Sequence, residues 1–180
     1  MILGGLKLEL PICEVCAKTG LLCPGCEERL EQGEITETDV EVSKKLVELK
    51  EDHPSLEDVA LLRTIDTGNL VVLVTKQGMA GKLIGKRGRI SRALSDHLGK
   101  KVRVVEEVED PKDVRQLRKL IQDLILPARL LSVNVVYEPD GERYKAVIHH
   151  RDRHRVPADT EELEKAVKEL TGMEVEVTFG

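Results

Sequence analysis

The sequence predicts an α+β protein in which one order of elements (helix, strand, strand, helix, strand) occurs twice behind a short four-cysteine metal module. Three observations predict it. All four cysteines fall between residues 13 and 26. Two hairpin signals, Asp66-Thr67-Gly68-Asn69 and Pro139-Asp140-Gly141, each lie between strand-like apolar runs. Apolar residues at helical spacing flank both hairpins.

The cysteines come first along the chain. Cys13, Cys16, Cys23 and Cys26 are spaced C-x2-C-x6-C-x2-C, and two residues between thiolates let both reach one ion. The Cys23-Pro24-Gly25-Cys26-Glu27 stretch reads as a tight corner supplying free N–H groups. Four soft sulfurs in tetrahedral array favour zinc, held structurally, since no ligand position remains for a catalytic water. A [4Fe–4S] cluster, two disulfides and a redox dithiol are the alternatives. The cluster differs in spacing, disulfides suit an oxidising compartment, and the dithiol needs a βαβ context that is missing. A segment of about 30 residues cannot bury enough surface to fold unaided, so metal must order it.

Glu34 to Lys50 reads as a helix capped by Thr36 or Thr38, with Val42, Leu46 and Leu49 on one face and Asp52-His53-Pro54 as its stop. Val59 to Ile65 and Leu70 to Thr75 form the first hairpin. Met79 to Ile84 is a short helix, and Arg89 to Leu98 is a second one. Its stripe of Ile90, Ala93, Leu94 and Leu98 faces inward, Arg89 and Arg92 face outward, and Gly99 caps it. Val102 to Val105 is the third strand. Asp110-Pro111 opens the next helix, which buries Val114, Leu117, Leu120, Ile121, Leu124 and Ile125 and ends at Leu126-Pro127-Ala128-Arg129. Strands Leu131 to Tyr137 and Tyr144 to His149, a helix from Thr160 to Leu170 stopped by Gly172, and a strand from Glu174 to Phe179 complete the repeat. The expected divisions are 1–33, 34–109 and 110–180.

Between the two short helices stands Lys82-Leu83-Ile84-Gly85-Lys86-Arg87-Gly88-Arg89-Ile90. Glycines admit backbone conformations closed to other residues and let a sugar-phosphate strand lie close. The helix that starts beside them offers unpaired N–H groups and a positive dipole end. Lys86 and Arg87 add charge. The formal net charge of −5 conceals segregation. From Lys76 to Arg103 there are nine cations against the single acid Asp96, whereas Glu27 to Asp58 carries twelve acids against four cations. Aromatic residues are only 2% of the 180, with no Trp. That argues against an RNP-type sheet or a ring-stacking platform for single strands.

Helix, strand, strand, helix–GxxG–helix, strand, with Ile84-Gly85-Lys86-Arg87-Gly88 in the loop, resembles a type II KH domain. One departure stands out. A KH domain usually has an apolar residue three places after the second glycine; here that residue is Ser91, and Ile90 comes one place earlier. The second unit has no GxxG, and Arg151-Asp152-Arg153-His154-Arg155-Val156-Pro157 occupies its place. Two such units joined through Leu-x-Pro-Ala-Arg resemble the tandem KH region of the NusA family of transcription factors, in an archaeal form with a zinc knuckle in front. The likeness runs from about Leu56 to Gly180 and leaves out the knuckle and the helix after it.

The resemblance implies tandem type II KH-like units, each a three-stranded sheet with helices, that bind single-stranded RNA in transcription elongation or termination without catalysing a reaction. RNA contacts are expected from Lys82, Leu83, Ile84, Gly85, Lys86, Arg87, Gly88, Arg89, Ile90 and Arg92, and in the second unit from Arg151, Arg153 and Arg155. Leu83, Ile84 and Ile90 would supply apolar contacts in place of rings. A ribosome-associated or ribonucleoprotein role and an iron–sulfur redox role are the competing readings, with RNA polymerase or the ribosome as the protein partner. His149, His150 and His154 match no common zinc spacing. Glu106-Glu107 and Glu109-Asp110 read as surface acids. No Ser/His/Asp order or P-loop occurs. No apolar run approaches the roughly 20 residues of a membrane span, and Met1 to Leu10 lacks a cleavage-like site, so a soluble cytoplasmic protein is expected.

Overall fold

A computed structural model describes residues 7–180. Residues 1–6, which begin the expected 1–33 module and most of the Met1 to Leu10 stretch, lie outside the described residues. The elements in chain order are α1 (Glu14–Thr19), α2 (Pro24–Glu31), α3 (Glu37–Lys50), β1 (Leu61–Asp66), β2 (Leu70–Thr75), α4 (Ala80–Ile84), α5 (Arg89–Leu98), β3 (Lys101–Glu106), α6 (Val114–Ile125), β4 (Leu130–Glu138), β5 (Gly141–Ile148), α7 (Thr160–Thr171) and β6 (Val175–Phe179). Among the described residues no helix is long and apolar enough to cross a membrane.

The α+β class and the repeat both hold. One sheet runs β1-β2-β3 and the other β4-β5-β6. In each, the first pair is antiparallel and the second parallel. Both first strands even slip register near their start, between Leu61 and Arg63 and between Leu130 and Ser132.

Burial, however, differs between the copies. Every residue of β2 is buried. Val71 and Leu73 join a core made with Leu46 of α3, Leu83 of α4, and Ile90 and Leu94 of α5. Leu70, Val72 and Val74 point the other way, into a core with Leu117, Leu120, Ile121 and Leu124 of α6, Ala146 and Ile148 of β5, and Ala166 and Val167 of α7. Alternate residues of a strand face opposite sides, so a run of six apolar or β-branched residues marks a strand covered on both. The helices of the second unit therefore cover the back of the first sheet, and the two units share a core. Toward its end β4 is uncovered, with Val136 41% and Tyr137 78% exposed.

Polar contacts reinforce the seam. Lys119 of α6 meets Glu106 at 2.6 Å, the Asn69 N–H donates to Glu162 Oε1 at 2.6 Å, and the Arg63 guanidinium donates to the Glu169 carbonyl at 2.9 Å. Glu106, read as a surface acid, is only 14% exposed on its side chain because it also accepts from the Gly78 N–H. Two further expectations need correction. The helix after the first unit starts at Val114 rather than at Asp110-Pro111. Asp110 instead closes a turn by accepting from the Lys112 N–H, and Asp113 caps the helix through the Arg115 N–H. Val114 thus sits in the first turn at 36% exposure, outside the buried stripe. The Cys23-Pro24-Gly25-Cys26 corner is the first turn of α2, with Pro24 at the position where a missing N–H does no harm.

At the front of α3, Thr36 and Asp39 form a reciprocal capping box. The Asp39 carboxylate is 2% exposed and also accepts from the Thr64 N–H at 2.6 Å and the Thr64 hydroxyl at 2.9 Å. One side chain therefore fixes both the start of α3 and its height on β1. Asp39→Ala leaves the buried Thr64 N–H without an acceptor and removes the cap, and is expected to cost about 2–4 kcal/mol. Urea denaturation checks this; a change within about 0.5 kcal/mol, typical of an indifferent surface site, would show that the carboxylate does not anchor the helix.

Candidate nucleic-acid interface and metal centre

The glycine loop is a product of backbone geometry. Gly85 ends α4 at φ 76°, ψ 168°, a region only glycine enters without strain. A Cβ there would lie 2.8 Å from both Cγ1 and Cδ1 of Ile90. Arg87 is left-handed at φ 57°, ψ 28°, and Gly88, at φ 70°, ψ 23°, opens α5. Ile90 is fully buried beneath the loop, and so is Leu83. These two expected contact residues therefore support the loop from inside and present no surface, because the core of the first unit claims both side chains. Ile84 is the apolar member left facing out, 37% exposed.

The glycine amides are already engaged: Gly85 N–H donates to the Gly81 carbonyl at 3.0 Å and Gly88 N–H to the Gly85 carbonyl at 3.0 Å. Among the described residues, the Lys86 and Arg87 N–H groups carry no such bond. The loop N–H groups free to meet an anion are thus those of its two central residues, not of its glycines. Charge concentrates there as well. Of the basic block, Lys76, Lys82 and Lys100 are paired with Glu9, Asp58 and Asp66. Lys82, an expected contact, donates both to the Asp58 carboxylate at 2.8 Å and to its carbonyl at 3.1 Å. Lys86, Arg87, Arg89 and Arg92 are exposed. They form no ion pair among the described residues.

Beside the loop lies an open groove of about 350 Å³. Ala80, Ile84 and Ser91 line one wall and Val102 and Val104 of β3 its floor. Ser91, the departure noted in the sequence, faces this groove, and its hydroxyl donates to the Gly88 carbonyl at 3.2 Å. The opposite wall includes Arg103 and, from the second unit, Asp123, Leu126 and Pro127. Arg103 donates to the Val102 carbonyl at 2.9 Å and the Leu126 carbonyl at 2.7 Å. Its Nε is buried with no acceptor among the described residues. Arg103 closes the basic block read from the sequence but is not among the expected contacts, and Asp123 is not expected at all; its one sequence signal is an acid three residues beyond Leu120, at the edge of the α6 stripe.

In the second unit, residues His150–Arg155 form a 3-10 turn where the first unit has its glycine loop. Asp152 is buried inside it and accepts from the Arg129 guanidinium at 2.9 Å, the Arg129 N–H at 3.1 Å and the Arg155 guanidinium at 3.3 Å. The Arg129 side-chain bond, against the upward push of burial, holds the Asp152 carboxyl at about 2. Arg153 sits 5.2 Å above the Phe179 ring. Arg151 is exposed. The three expected contacts are thus gathered on one turn, two of them already engaged within the protein.

Both cysteine pairs sit at helix starts: Cys13 is the N-cap of α1 and Cys23 that of α2, with Cys16 and Cys26 one turn inside. The four sulfurs lie within 4.8 Å of one another, so they could hold a metal ion. Helix N-termini favour negative charge, which suits thiolates. The backbone N–H of Cys26 lowers the Cys23 thiol to about 7, and burial pushes the Cys16 thiol up to about 12. Ile12, Ala17, Ile35 and Val40 pack around the cluster. Residue 9 bridges to Ala60, tying the segment before the cluster to the edge of the first sheet.

Residues 37–107 match the family model of the NusA-like first KH domain. The match starts at α3, so this helix belongs to the unit and the likeness extends further forward than Leu56. No curated protein matches the chain. A solved chain, the crystal structure of APE1850, aligns over 76% of this chain and 96% of that one at 22% identity, with a TM-score of 0.48. That likeness is too distant to carry anything about activity.

The two glycines are not equivalent. Gly85→Ala meets Ile90 and a forbidden φ, and is expected to destabilise by about 3 kcal/mol. Gly88→Ala meets only Ser91 Oγ, at 3.5 Å. It carries the left-handed cost alone, about 1 kcal/mol. Thermal unfolding of both variants checks the order; equal losses would show that the Ile90 contact is not what selects Gly85.

Proposed function

We propose that the chain grips single-stranded RNA at the Gly85–Gly88 loop and works, without catalysing a reaction, as a NusA-like factor in transcription elongation or termination, with RNA polymerase as its protein partner. The observation that carries the RNA reading is the loop itself. Two free amides and two unpaired cations stand between two helices, beside an apolar groove, inside a segment that matches the NusA-like first KH domain.

The physical sequence of events is simple. Arg89 and Arg92 on the exposed side of α5 extend the field of Lys86 and Arg87 and draw a polyanion to this face. One phosphate then settles on the Lys86 and Arg87 N–H groups, with the positive end of α5 behind them. The backbone so fixed lays its bases into the groove over Ile84, where apolar contact replaces ring stacking. About four nucleotides fill one such module. Arg151, Arg153 and Arg155 extend the contact along the second unit. In this reading residues 34–109 form the gripping unit, 110–180 a second KH-like unit without a glycine loop, and 1–33 a zinc-ordered front module.

Lys86→Asp together with Arg87→Asp reverses the charge at two exposed positions, one of which tolerates Asp in the left-handed region. RNA affinity should fall at least tenfold, roughly 1.4 kcal/mol, while stability stays within about 0.5 kcal/mol. For the parent chain, log affinity should fall against log salt with a slope near −2, as for about three neutralised phosphates. Fluorescence anisotropy with a labelled oligoribonucleotide reads both. Unaltered binding by the double variant removes the loop from the mechanism.

Metal analysis of the purified chain should find one zinc ion and no iron, giving a colourless protein. Cys13→Ser should lose that ion and raise amide exchange around α1 and α2 while β2 and α6 remain protected. Iron with absorbance near about 400 nm would replace zinc by an iron–sulfur cluster.

A further inference from the structure

Asp123 is an anomaly in a groove meant for a polyanion. It lines the groove from α6 of the second unit, together with Ile84, Ser91 and Val104 of the first. Partly buried, it forms neither hydrogen bond nor ion pair among the described residues; burial pushes its carboxyl upward, with the nearby Glu106 acting in the same direction and Lys119 against it. Lys119 is itself held by Glu106 at 2.6 Å. A carboxylate there repels phosphate, so what it meets must be a donor. Arg103 lines the same groove; its Nη1 and Nη2 donate to the Val102 and Leu126 carbonyls, and each nitrogen carries a second N–H beyond that bond.

We infer that Asp123 and Arg103 select guanine at one position of the bound strand, the second unit thereby reading a base that the first unit's loop holds in place. The inference rests on the RNA reading above. Two carboxylate oxygens match the adjacent N1–H and N2–H donors of guanine, and an arginine N–H beside them matches O6. Adenine and cytosine offer one amino group next to a ring acceptor. Uracil offers one N–H flanked by two carbonyls, which a carboxylate repels. A partly desolvated acceptor left unpaired by the wrong base is what makes such a site discriminate.

The test uses the full chain and labelled oligouridine hexamers carrying a single guanosine, adenosine, cytidine or inosine, inosine being guanosine without the 2-amino group. The parent is expected to bind the guanosine hexamer about tenfold tighter than all-uridine, and tighter than the inosine hexamer. In Asp123→Asn, which keeps the shape, and in Asp123→Ala, the guanosine-to-inosine ratio should collapse toward one. Ratios unchanged from the parent in both variants, or a parent without guanosine preference, overturn the inference. If that happens while Lys86→Asp with Arg87→Asp still abolishes binding, the loop reading stands and only base selection falls. A parent that binds none of the hexamers overturns both.

Discussion

The structure depends on β2 being covered on both faces. Its six residues supply alternate side chains to two separate cores, one with α3, α4 and α5 and one with α6 and α7. Neither half of the chain closes the first sheet by itself. The glycine loop is tethered to the front core through Leu83 and Ile90, while α6 is seated by the rear core through Leu117, Ile121 and Leu124. Both walls of the groove thus take their position from opposite faces of one strand. A relative shift of the units would open or close the groove, and the close packing of the rear core opposes such a shift.

Much of this was legible in the sequence. Period-2 alternation, helical stripes and the two turn signals place eleven of the thirteen helices and strands within a few residues, because each of these buries one well-defined face; α1 and α2, inside the cysteine module, are not read as helices. The start of α6 is misplaced and α2 is missed for local reasons. Asp110 looks like a cap, but the Asx turn it makes with Lys112 postpones the helix until Asp113. Pro24-Gly25 looks like a corner, but proline is equally at home in a helix's first turn. The joint core was hidden for a different reason. The run Leu70-Val71-Val72-Leu73-Val74 declares burial on both sides, yet nothing in a one-dimensional pattern says which helices do the covering.

The candidate site shows the same division. Its glycines, cations and flanking helices are a local motif and can be read in order. Which members point outward is not local. Leu83 and Ile90 sit within the motif but are consumed by the core, and Lys82 is turned aside by Asp58, a residue 24 positions earlier. Arg103 and Asp123 lie outside the motif and enter the groove only because α6 packs across the end of β3. Sequence therefore identifies the glycine loop and its cations, and only the fold shows what lines the groove with them.

The overall charge of the chain and its proposed ligand are reconciled by the same distinction between local and global. A net charge of −5 would repel RNA if it were spread evenly. Screening, however, limits each charge's influence to about 8 Å at physiological salt. Within the basic block, Lys76, Lys82 and Lys100 are neutralised by Glu9, Asp58 and Asp66. Among the described residues, the cations left without an ion pair are Lys86, Arg87, Arg89 and Arg92, on one loop and the exposed side of one helix, with Lys101 and Arg103 on β3. Pairing thus does more than hold strands and helices together: it trims a diffuse basic segment down to a patch about the size of a few nucleotides. The free amides lie within this patch, so in the proposed complex the first electrostatic contact would place a phosphate beside them.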